Sequence, residues 1–338
     1  MTPPAHPVQV LSINGWCRNG STIIGNLLNE VDGFFHAGEL HFLWKNAYGL
    51  GSNTRCGCGL DLVRCPIWSA VLAAELPPGV PAEVHAGAVR GRQRAGLRTR
   101  HTWSVLRGGV RSDDRREHAA TMARAYRAIA EVTGCRVIVD STKIAGEAAL
   151  LSRVDGIDPL YVHLVRDPRA VAHSWSRQKD YALPMSALRS TAYWVGFNLA
   201  TRAVVRAHPA RSLLLRYEDF VRAPAATIGR LIELCGGDPS RNPVRGRTAE
   251  LGTNHTVTGN PDRFRTGTTL IRADDEMWRT ELPARSVAAT LALAWPLMRR
   301  YRYALRPGSP RGGTAPERDQ RADRRPDRRP EEARWTSD

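Results

Sequence analysis

The chain has 338 residues, of which 42% are hydrophobic and 24% charged, as in soluble globular proteins with a sizeable core. Its 49 Lys and Arg residues against 33 Asp and Glu residues give a formal net charge of +16, which favours anionic partners such as small polyanions, anionic surfaces or nucleic acid. We expect no transmembrane segment and a cytoplasmic location, because no apolar run reaches about 18 residues and the N-terminus, MTPPAHPVQV, lacks a signal core.

Four short runs rich in Val, Ile and Leu predict buried parallel strands, at residues 8–13, 136–140, 160–165 and 212–216. Each is followed by a polar turn and then by a helical pattern, beginning with an apolar stripe over residues 23–31. This alternation predicts an α/β fold in which helices cover both faces of a central parallel sheet.

Two segments depart from this alternation. Residues 72–132 are rich in arginine and lack clear strands, which predicts a helical insertion. Its arginines between 90 and 116 form either a solvated face, the simpler interpretation, or part of a site for an acidic acceptor. Residues 307–338 are rich in Pro, Gly, Arg and Asp, so we expect a disordered tail after one domain of residues 1–306.

The first predicted strand leads into the turn GWCRNGST. A strand, a glycine-containing turn and a helix bring backbone N–H groups and a positive dipole end to one point, which suits a phosphate or sulfate. Gly15 and Gly20 permit the tight backbone, and Arg18 supplies a planar, permanently charged donor. Ser21 and Thr22 are expected to cap the helix; the alternative is an ordinary capped helix without a ligand.

This turn differs from that of nucleoside triphosphatases. Those proteins carry a Gly-Lys pair in the loop and hold magnesium with a hydroxyl. Here the order is Arg-Asn-Gly-Ser-Thr, and the chain shows no convincing second acidic magnesium ligand at a strand end. Triphosphate chemistry is therefore disfavoured.

The segment CRNGST resembles the 5′-phosphosulfate loop of the sulfotransferases that use 3′-phosphoadenosine 5′-phosphosulfate (PAPS). The resemblance implies that residues 18–22 cradle the donor, namely Arg18, Asn19, Gly20, Ser21 and Thr22, although Asn19 replaces the commoner serine. A second segment, LVRDPRAVAHSWSRQK, is similar to the 3′-phosphate segment of the family and implies that Arg166 and Ser174 bind that phosphate. The alternative for Arg166 is a local ion pair with Asp167.

Two later segments extend the resemblance. LLLRYEDF is similar to a strand and helix of the family in which Tyr217 would lie near the adenine. NHTVTGNPDRFR resembles the C-terminal segment of many bacterial and carbohydrate sulfotransferases, whose basic residues close over the nucleotide, and here implies Arg263 and then Arg265.

The resemblance implies a P-loop-like three-layer sandwich and a transfer of the sulfuryl group from PAPS to a hydroxyl or amine, without a catalytic metal. The acceptor is a small molecule, carbohydrate, lipid or peptide. A P-loop kinase is the alternative. Nucleic acid is not an expected partner, because the chain lacks the interleaved aromatic and basic residues of single-strand binders.

The segment FFHAGELHFLW contains the candidates for the general base. Many bacterial relatives have a glutamate shortly after the first helix in this role, which implies Glu39. His41 and His36 are competing candidates, because histidine is the commonest general base. VIVDSTK resembles an Asp-Ser-Ser/Thr-Lys motif of one bacterial subgroup, which implies that Lys143 contacts the bridging oxygen or the acceptor. The alternative is a helix cap made by its Ser or Thr.

Three cysteines lie close together in CGCGLDLVRCPIW, at positions 56, 58 and 65. They suggest a zinc loop, but a structural zinc site needs four ligands, and the fourth would come from a distant His or Cys. Reduced packing cysteines are the favoured interpretation over zinc or a disulfide among Cys56, Cys58 and Cys65.

Overall fold

The four Val-, Ile- and Leu-rich runs form neighbouring strands of one parallel sheet. The computed structural model describes residues 7–51, 53–178, 183–272 and 276–305; the predicted disordered tail lies outside them. The parallel strands are β1 (Val8–Asn14), β2 (Phe34–Gly38), β3 (Val137–Asp140), β4 (Ile157–Val165) and β5 (Ser212–Arg216), and an antiparallel pair consists of β6 (Thr248–Leu251) and β7 (Gly267–Leu270). The parallel order is β2-β3-β1-β4-β5, so the α/β fold with a central parallel sheet is confirmed.

Helices follow the strands and also fill the segment between residues 66 and 133, where the arginine-rich insertion was predicted. They are α1 (Ser21–Asn29), α2 (Leu43–Ala47), α3 (Pro66–Glu75), α4 (Ala82–Gly96), α5 (Thr102–Gly108), α6 (Asp113–Thr133), α7 (Ala145–Leu151), α8 (Pro168–Ser176), α9 (Ala187–Ala207), α10 (Tyr217–Arg222), α11 (Pro224–Leu234), α12 (Trp278–Glu281) and α13 (Ala284–Arg300). Among the described residues, no helix has the length and apolarity needed to cross a membrane.

The sheet separates two apolar cores, because successive side chains of a strand point to opposite faces. In β1, Val10 belongs to the core that includes α3 and α6, whereas Leu11 belongs to the core that includes α1 and α11. In β3, Ile138 and Val139 divide in the same way. Strands buried on both faces need apolar residues at every position, which explains why the sequence shows continuous runs rather than alternation.

The register of the sheet brings the ends of three strands to one edge. Ser12 of β1 pairs with Asp140 of β3, and Asn14 of β1 pairs with His163 of β4. Because all of these strands are parallel, the loops that follow β1, β3 and β4 leave from the same edge of the sheet. The candidate site lies at this edge.

The chain divides into two compact units, Met1–Arg166 with Tyr193–Asp274, and Asp167–Ala192 with Asp275–Asp338. The first unit contains the sheet. In the second, Ala170 of α8 packs with Trp278 and Leu282 in a small apolar core. His173 of α8 also contacts Glu281 at 2.9 Å. The sequence prediction of one domain over residues 1–306 stays a prediction.

Two histidines are buried within the strands of the sheet. Burial, with the positive charge of Lys143 adding to it, lowers the pKa of His36 to about 3. Burial likewise lowers the pKa of His163 to about 4, against a hydrogen bond with Asn198 that raises it. Both rings are therefore neutral in the folded protein at neutral pH, while the same side chains take up a proton near pH 6.5 when the chain unfolds.

We expect His36→Gln to weaken the acid sensitivity of the fold. A base whose pKa is lowered by folding binds its proton more readily in the unfolded state, so the free energy of unfolding falls as the pH drops below 6.5. Between pH 7 and pH 5 the wild type should lose about 2 kcal/mol through this one side chain, and the variant should lack that loss. Urea unfolding at both pH values measures the difference.

His163→Gln provides a second variant with an effect of the same sign. The pH dependence is the relevant quantity, because removing a buried ring lowers the stability of either variant at every pH. Parallel pH curves for the wild type and both variants would contradict the assignment of neutral buried histidines.

Candidate active site

The loop between β1 and α1 packs directly against the end of β4. A side chain at Gly15 would collide with the carbonyl oxygen of Leu164, and one at Gly20 would collide with the ring of Tyr217. Both glycines also have a positive φ, of 136° and 93°, where other residues are strained. Asn19 fixes the loop from within, because its Nδ2 donates to the Leu164 carbonyl at 3.1 Å.

The start of α1 differs from the prediction that Ser21 and Thr22 cap the helix. Gly20, in the left-handed conformation, is the N-cap and makes no side-chain cap, because a glycine adopts that backbone without strain. Ser21 is instead the first helical residue, and its N–H donates to Asn19 Oδ1 at 3.3 Å. The prediction that Ser21 and Thr22 cap the helix was therefore wrong.

Arg18 has a φ of +69°, in the region that favours glycine. An L-residue held there costs about 1–3 kcal/mol and persists only where the surrounding structure imposes it. Such residues concentrate at ligand sites, so the strain agrees with the predicted role of Arg18 in the loop. Lys143 has a φ of +67° and shares this property.

Arg166 and Tyr217 lie beside the loop, while their predicted contacts with the nucleotide stay predictions. The guanidinium of Arg166 donates from Nη1 to the carbonyl of Arg18 at 3.0 Å, and its Cζ lies 4.5 Å from the centre of the Tyr217 ring. Trp194 donates to the Arg166 carbonyl at 3.0 Å. Arg166 thus contacts a carbonyl and an aromatic ring. These contacts differ from the alternative interpretation, in which Arg166 forms a local ion pair with Asp167.

Glu39 and Lys143 form an ion pair at the ends of neighbouring strands. Lys143 Nζ donates to Glu39 Oε1 at 2.6 Å and to the Ser141 carbonyl at 2.7 Å. Glu39 follows β2 and Lys143 follows β3, and these two strands pair in parallel. Pairing of these strands therefore brings together two residues that are 104 positions apart in sequence.

The motif that carries Lys143 does not cap α7. The N-cap of that helix is Ile144, without a side-chain cap, so the alternative of a cap made by Ser141 or Thr142 was wrong. Ser141 Oγ instead donates to the Gly38 carbonyl at 3.1 Å, and the Thr142 N–H donates to Asp140 at 2.8 Å. These bonds hold the turn after β3 against the end of β2, with Lys143 at its tip.

The half-buried Cys17 lies directly before Arg18 in the loop, and its pKa responds to the charges of both the loop and this ion pair. Burial raises the pKa of Cys17, the charge of Lys143 lowers it, Glu39 raises it and Arg18 lowers it. Arg18, Glu39 and Lys143 are thus the charged groups that shift the pKa of the thiol of Cys17, a residue that the sequence motifs did not indicate for the site. Its position directly before Arg18 was the signal for its place in the site.

The two histidines that compete with Glu39 have different surroundings. His36 is buried in β2, 1% exposed, with Nε2 3.4 Å from Ser141 Oγ, and its low pKa makes it a weak base. His41 has its Nδ1 2.8 Å from Glu147 Oε1. His118 lies 3.2 Å from the same oxygen, so His41 belongs to a buried His–Glu–His group rather than to the Glu39–Lys143 pair. Its catalytic role stays a prediction.

The segment that follows β6 carries the two predicted arginines, in different environments. Arg263 is buried and donates from Nη2 to Asn53 Oδ1 at 2.8 Å and to the Arg55 carbonyl at 3.0 Å. Burial lowers the pKa of Arg263 to about 10, against the charge of Glu39, which raises it; the side chain is thus charged at neutral pH. Arg265 is about half exposed and pairs with Asp262 at 2.9 Å.

Ser174 lies in α8, which belongs to the second unit. The helix begins at Pro168, and the Asp167 side chain accepts a hydrogen bond from the N–H of Arg169 at 2.9 Å. The predicted contact of Ser174 with a 3′-phosphate stays a prediction. In the first unit, the fold unites Arg18, Glu39, Lys143, Arg166, Tyr217 and Arg263 at or beside the edge of the sheet.

Comparison with known protein families gives a match over part of the chain. A profile of the Sulfotransferase family matches residues 158–239, the stretch that contains Arg166, Ser174 and Tyr217. The search of curated proteins found no match to this chain.

Among solved structures, the chain is similar to the sulfotransferase domain of the Synechococcus PCC 7002 olefin synthase, with a TM-score of 0.50 and 21% identity over 90% of this chain and 99% of that one. It is also similar to the sulfotransferase domain of the curacin biosynthetic pathway, with a TM-score of 0.49 and 17% identity over 89% and 100% of the two chains. The olefin synthase domain shares the fold of this chain. Together with the family match over residues 158–239, this shared fold supports membership of the sulfotransferase superfamily.

Proposed function

We propose that this chain transfers the sulfuryl group of PAPS to a hydroxyl or amine of an acceptor. The observation that carries the proposal is that a phosphate-type loop after β1 and the Glu39–Lys143 pair after β2 and β3 lie at the same edge of the sheet. The loop offers the anion site, and the pair offers a carboxylate and an ammonium beside it. A transferase needs both within reach of one reacting group.

The donor would lie on the loop with its 5′-phosphosulfate at the N-terminus of α1. Backbone N–H groups, the helix dipole and the Arg18 guanidinium all favour negative charge at this point. Arg166, stacked on Tyr217, supports recognition of the 3′-phosphate, and the Tyr217 ring supports stacking with the adenine. Arg263 adds a buried positive charge near Glu39.

The transfer itself would proceed in line. The acceptor oxygen forms a bond to sulfur while the bond from sulfur to the donor phosphate oxygen breaks, and the acceptor proton passes to Glu39. Lys143 occupies one carboxylate oxygen of Glu39, and a carboxylate retains a second oxygen for the acceptor hydroxyl. Arg18 and Lys143 stabilise the charge that develops on the departing adenosine 3′,5′-bisphosphate.

A kinase acting on a magnesium triphosphate is less well supported. The loop lacks the lysine of such enzymes. The carboxylate at the end of β3 belongs to Asp140, which accepts hydrogen bonds from Tyr126 at 2.7 Å and from the Thr142 N–H at 2.8 Å. Its two oxygens are thus engaged in holding the turn that positions Lys143.

We expect Arg166→Ala to weaken the binding of adenosine 3′,5′-bisphosphate by about 10- to 100-fold, the loss that follows from removing a charged hydrogen-bond donor. The thermal stabilisation of the full chain by the bisphosphate should fall accordingly. Titration calorimetry, together with melting curves at several ligand concentrations, measures both quantities.

Arg230→Ala is the matched control, because Arg230 is exposed on α11 and should leave the affinity unchanged. Stabilisation of the wild type by ATP with magnesium, and none by the bisphosphate, would indicate a kinase. Equal affinities of the wild type and Arg166→Ala would remove Arg166 from the donor site.

We expect Glu39→Gln to lower the rate of sulfuryl transfer by about 10²- to 10⁴-fold while the bisphosphate still binds. The amide keeps the size of the side chain but no longer accepts a proton. Labelled PAPS, screened first against panels of carbohydrates, lipids, tyrosine peptides and small phenols or alcohols, supplies the acceptor for this measurement.

Glu83→Gln, at an exposed position of α4, is the control for Glu39→Gln and should transfer at the wild-type rate. His41→Gln tests the competing base in the same assay. Full activity of Glu39→Gln together with a large loss in His41→Gln would reassign the base to His41.

A further inference from the structure

Three cysteines and one histidine meet at a point that the proposed reaction does not use. The Sγ atom of Cys65 lies 3.2 Å from His255 Nδ1, and the Sγ atom of Cys56 lies 3.8 Å from it. With Cys58, the four donor atoms all lie within 4.8 Å of one another. His255 follows Cys65 by 190 residues, so the fold and not the local sequence brings it here.

The spacing of these atoms, from 3.2 Å up to at most 4.8 Å, is close to that of a tetrahedral metal site. With Zn–S bonds of about 2.3 Å and Zn–N bonds of about 2.0–2.1 Å, the edges of the tetrahedron measure about 3.5–3.8 Å. Cys56 and Cys65 are buried, while Cys58 and His255 are half-buried. A closed set of three thiolates and one imidazole, with no position left for water or substrate, is typical of structural zinc rather than of catalytic zinc.

The loop around the cysteines is shaped to present sulfur atoms. The Cys56 N–H donates to the Leu60 carbonyl at 2.8 Å, which closes a tight turn through Cys58. The Gly59 N–H donates to the Cys56 carbonyl at 2.9 Å, and the Cys65 N–H, directly before α3, donates to the Asp61 carbonyl at 2.8 Å. These backbone hydrogen bonds hold the loop that carries the three thiols in one conformation.

The histidine is held in place by the same loop. Trp68 Nε1 donates to the His255 carbonyl at 2.6 Å, and the Gly57 N–H donates to the Thr256 carbonyl at 3.0 Å. The imidazole thus approaches the sulfurs on a backbone that is fixed from both sides. A disulfide would use two of the sulfurs and would give the third sulfur and the imidazole no function.

We propose that Cys56, Cys58, Cys65 and His255 bind one structural zinc ion. The ion ties the cysteine loop to the segment after β6. That segment also carries Arg263, which donates to Asn53 and to the Arg55 carbonyl, directly before the first ligand. The zinc therefore fixes the backbone that positions Arg263; this second part of the inference rests on the proposed function, whereas zinc binding itself does not.

The test measures zinc in the full chain, purified under reducing conditions from cells grown with added zinc. Mass spectrometry of the metal should give about one zinc per chain. Cys65→Ser and His255→Ala should lose most of it, whereas Cys235→Ser, a buried cysteine outside the cluster, should retain it. Because a zinc ligand variant can fail to fold, wild-type protein exchanged with Co²⁺ provides a second measurement, the visible absorption of tetrahedral thiolate coordination.

Metal-free wild-type protein, or Cys65→Ser and His255→Ala variants that keep stoichiometric zinc, would overturn the proposal. An intact mass two hydrogens below that of the reduced chain, with no zinc, would show a disulfide instead. Removal of zinc by a chelator should lower the melting temperature and the affinity for adenosine 3′,5′-bisphosphate together. Zinc-loaded protein that does not bind the bisphosphate would contradict the proposed function and leave the zinc site standing.

Discussion

The loop after β1 approaches the end of β4 so closely that no side chain fits at Gly15. The Leu164 carbonyl lies against this glycine and also accepts a hydrogen bond from Asn19 at 3.1 Å. Arg166, two residues after Leu164, in turn donates a hydrogen bond to the Arg18 carbonyl at 3.0 Å. The rest of the site depends on this reciprocal junction, because it sets the distance between the phosphate-type loop and the arginine proposed for the 3′-phosphate.

The junction is possible only because β1 and β4 are adjacent and parallel. β3 flanks β1 on its other side, and β2 flanks β3, so the turns that carry Glu39 and Lys143 arrive at the same edge. The chain thus assembles the site from short turns on rigid strands, which is the common arrangement of ligand sites in open α/β sheets. Buried hydrogen bonds at Ser141 and Asp140 then define the turn itself.

Much of this fold follows from the sequence. The strands β1, β3, β4 and β5 are short Val-, Ile- and Leu-rich runs bounded by polar turns, and burial on both faces makes such runs conspicuous. The strand β2 was not predicted, because Phe34–Gly38 contains two aromatic residues, a histidine and a glycine and lacks the Val, Ile and Leu residues of the other strands. Local rules also gave the wrong helix caps, because Gly20 and Ile144 take the N-cap positions beside residues of higher capping propensity.

The sequence indicates candidate residues for the site but not the contacts among them. The motifs indicate Arg18, Arg166 and Glu39 individually, since each follows a recognisable local pattern. The ion pair of Glu39 with Lys143 and the meeting of His255 with Cys65 join residues 104 and 190 positions apart. Such pairs depend on strand order and loop path, and a single sequence carries no direct record of either.

The positive φ of Arg18 and Lys143 affects how the free-energy cost of ordering these residues is divided between folding and ligand binding. Both residues sit at positive φ, a conformation that an isolated arginine or lysine seldom visits. The main chain of these two charged residues is therefore ordered when the protein folds. An anion that binds there contacts donors whose main chain does not have to rearrange. In a flexible loop, each binding event would include the loss of conformational entropy that ordering the loop requires. Here the loop is already ordered in the folded state, and the strained backbone lowers the free energy of unfolding instead.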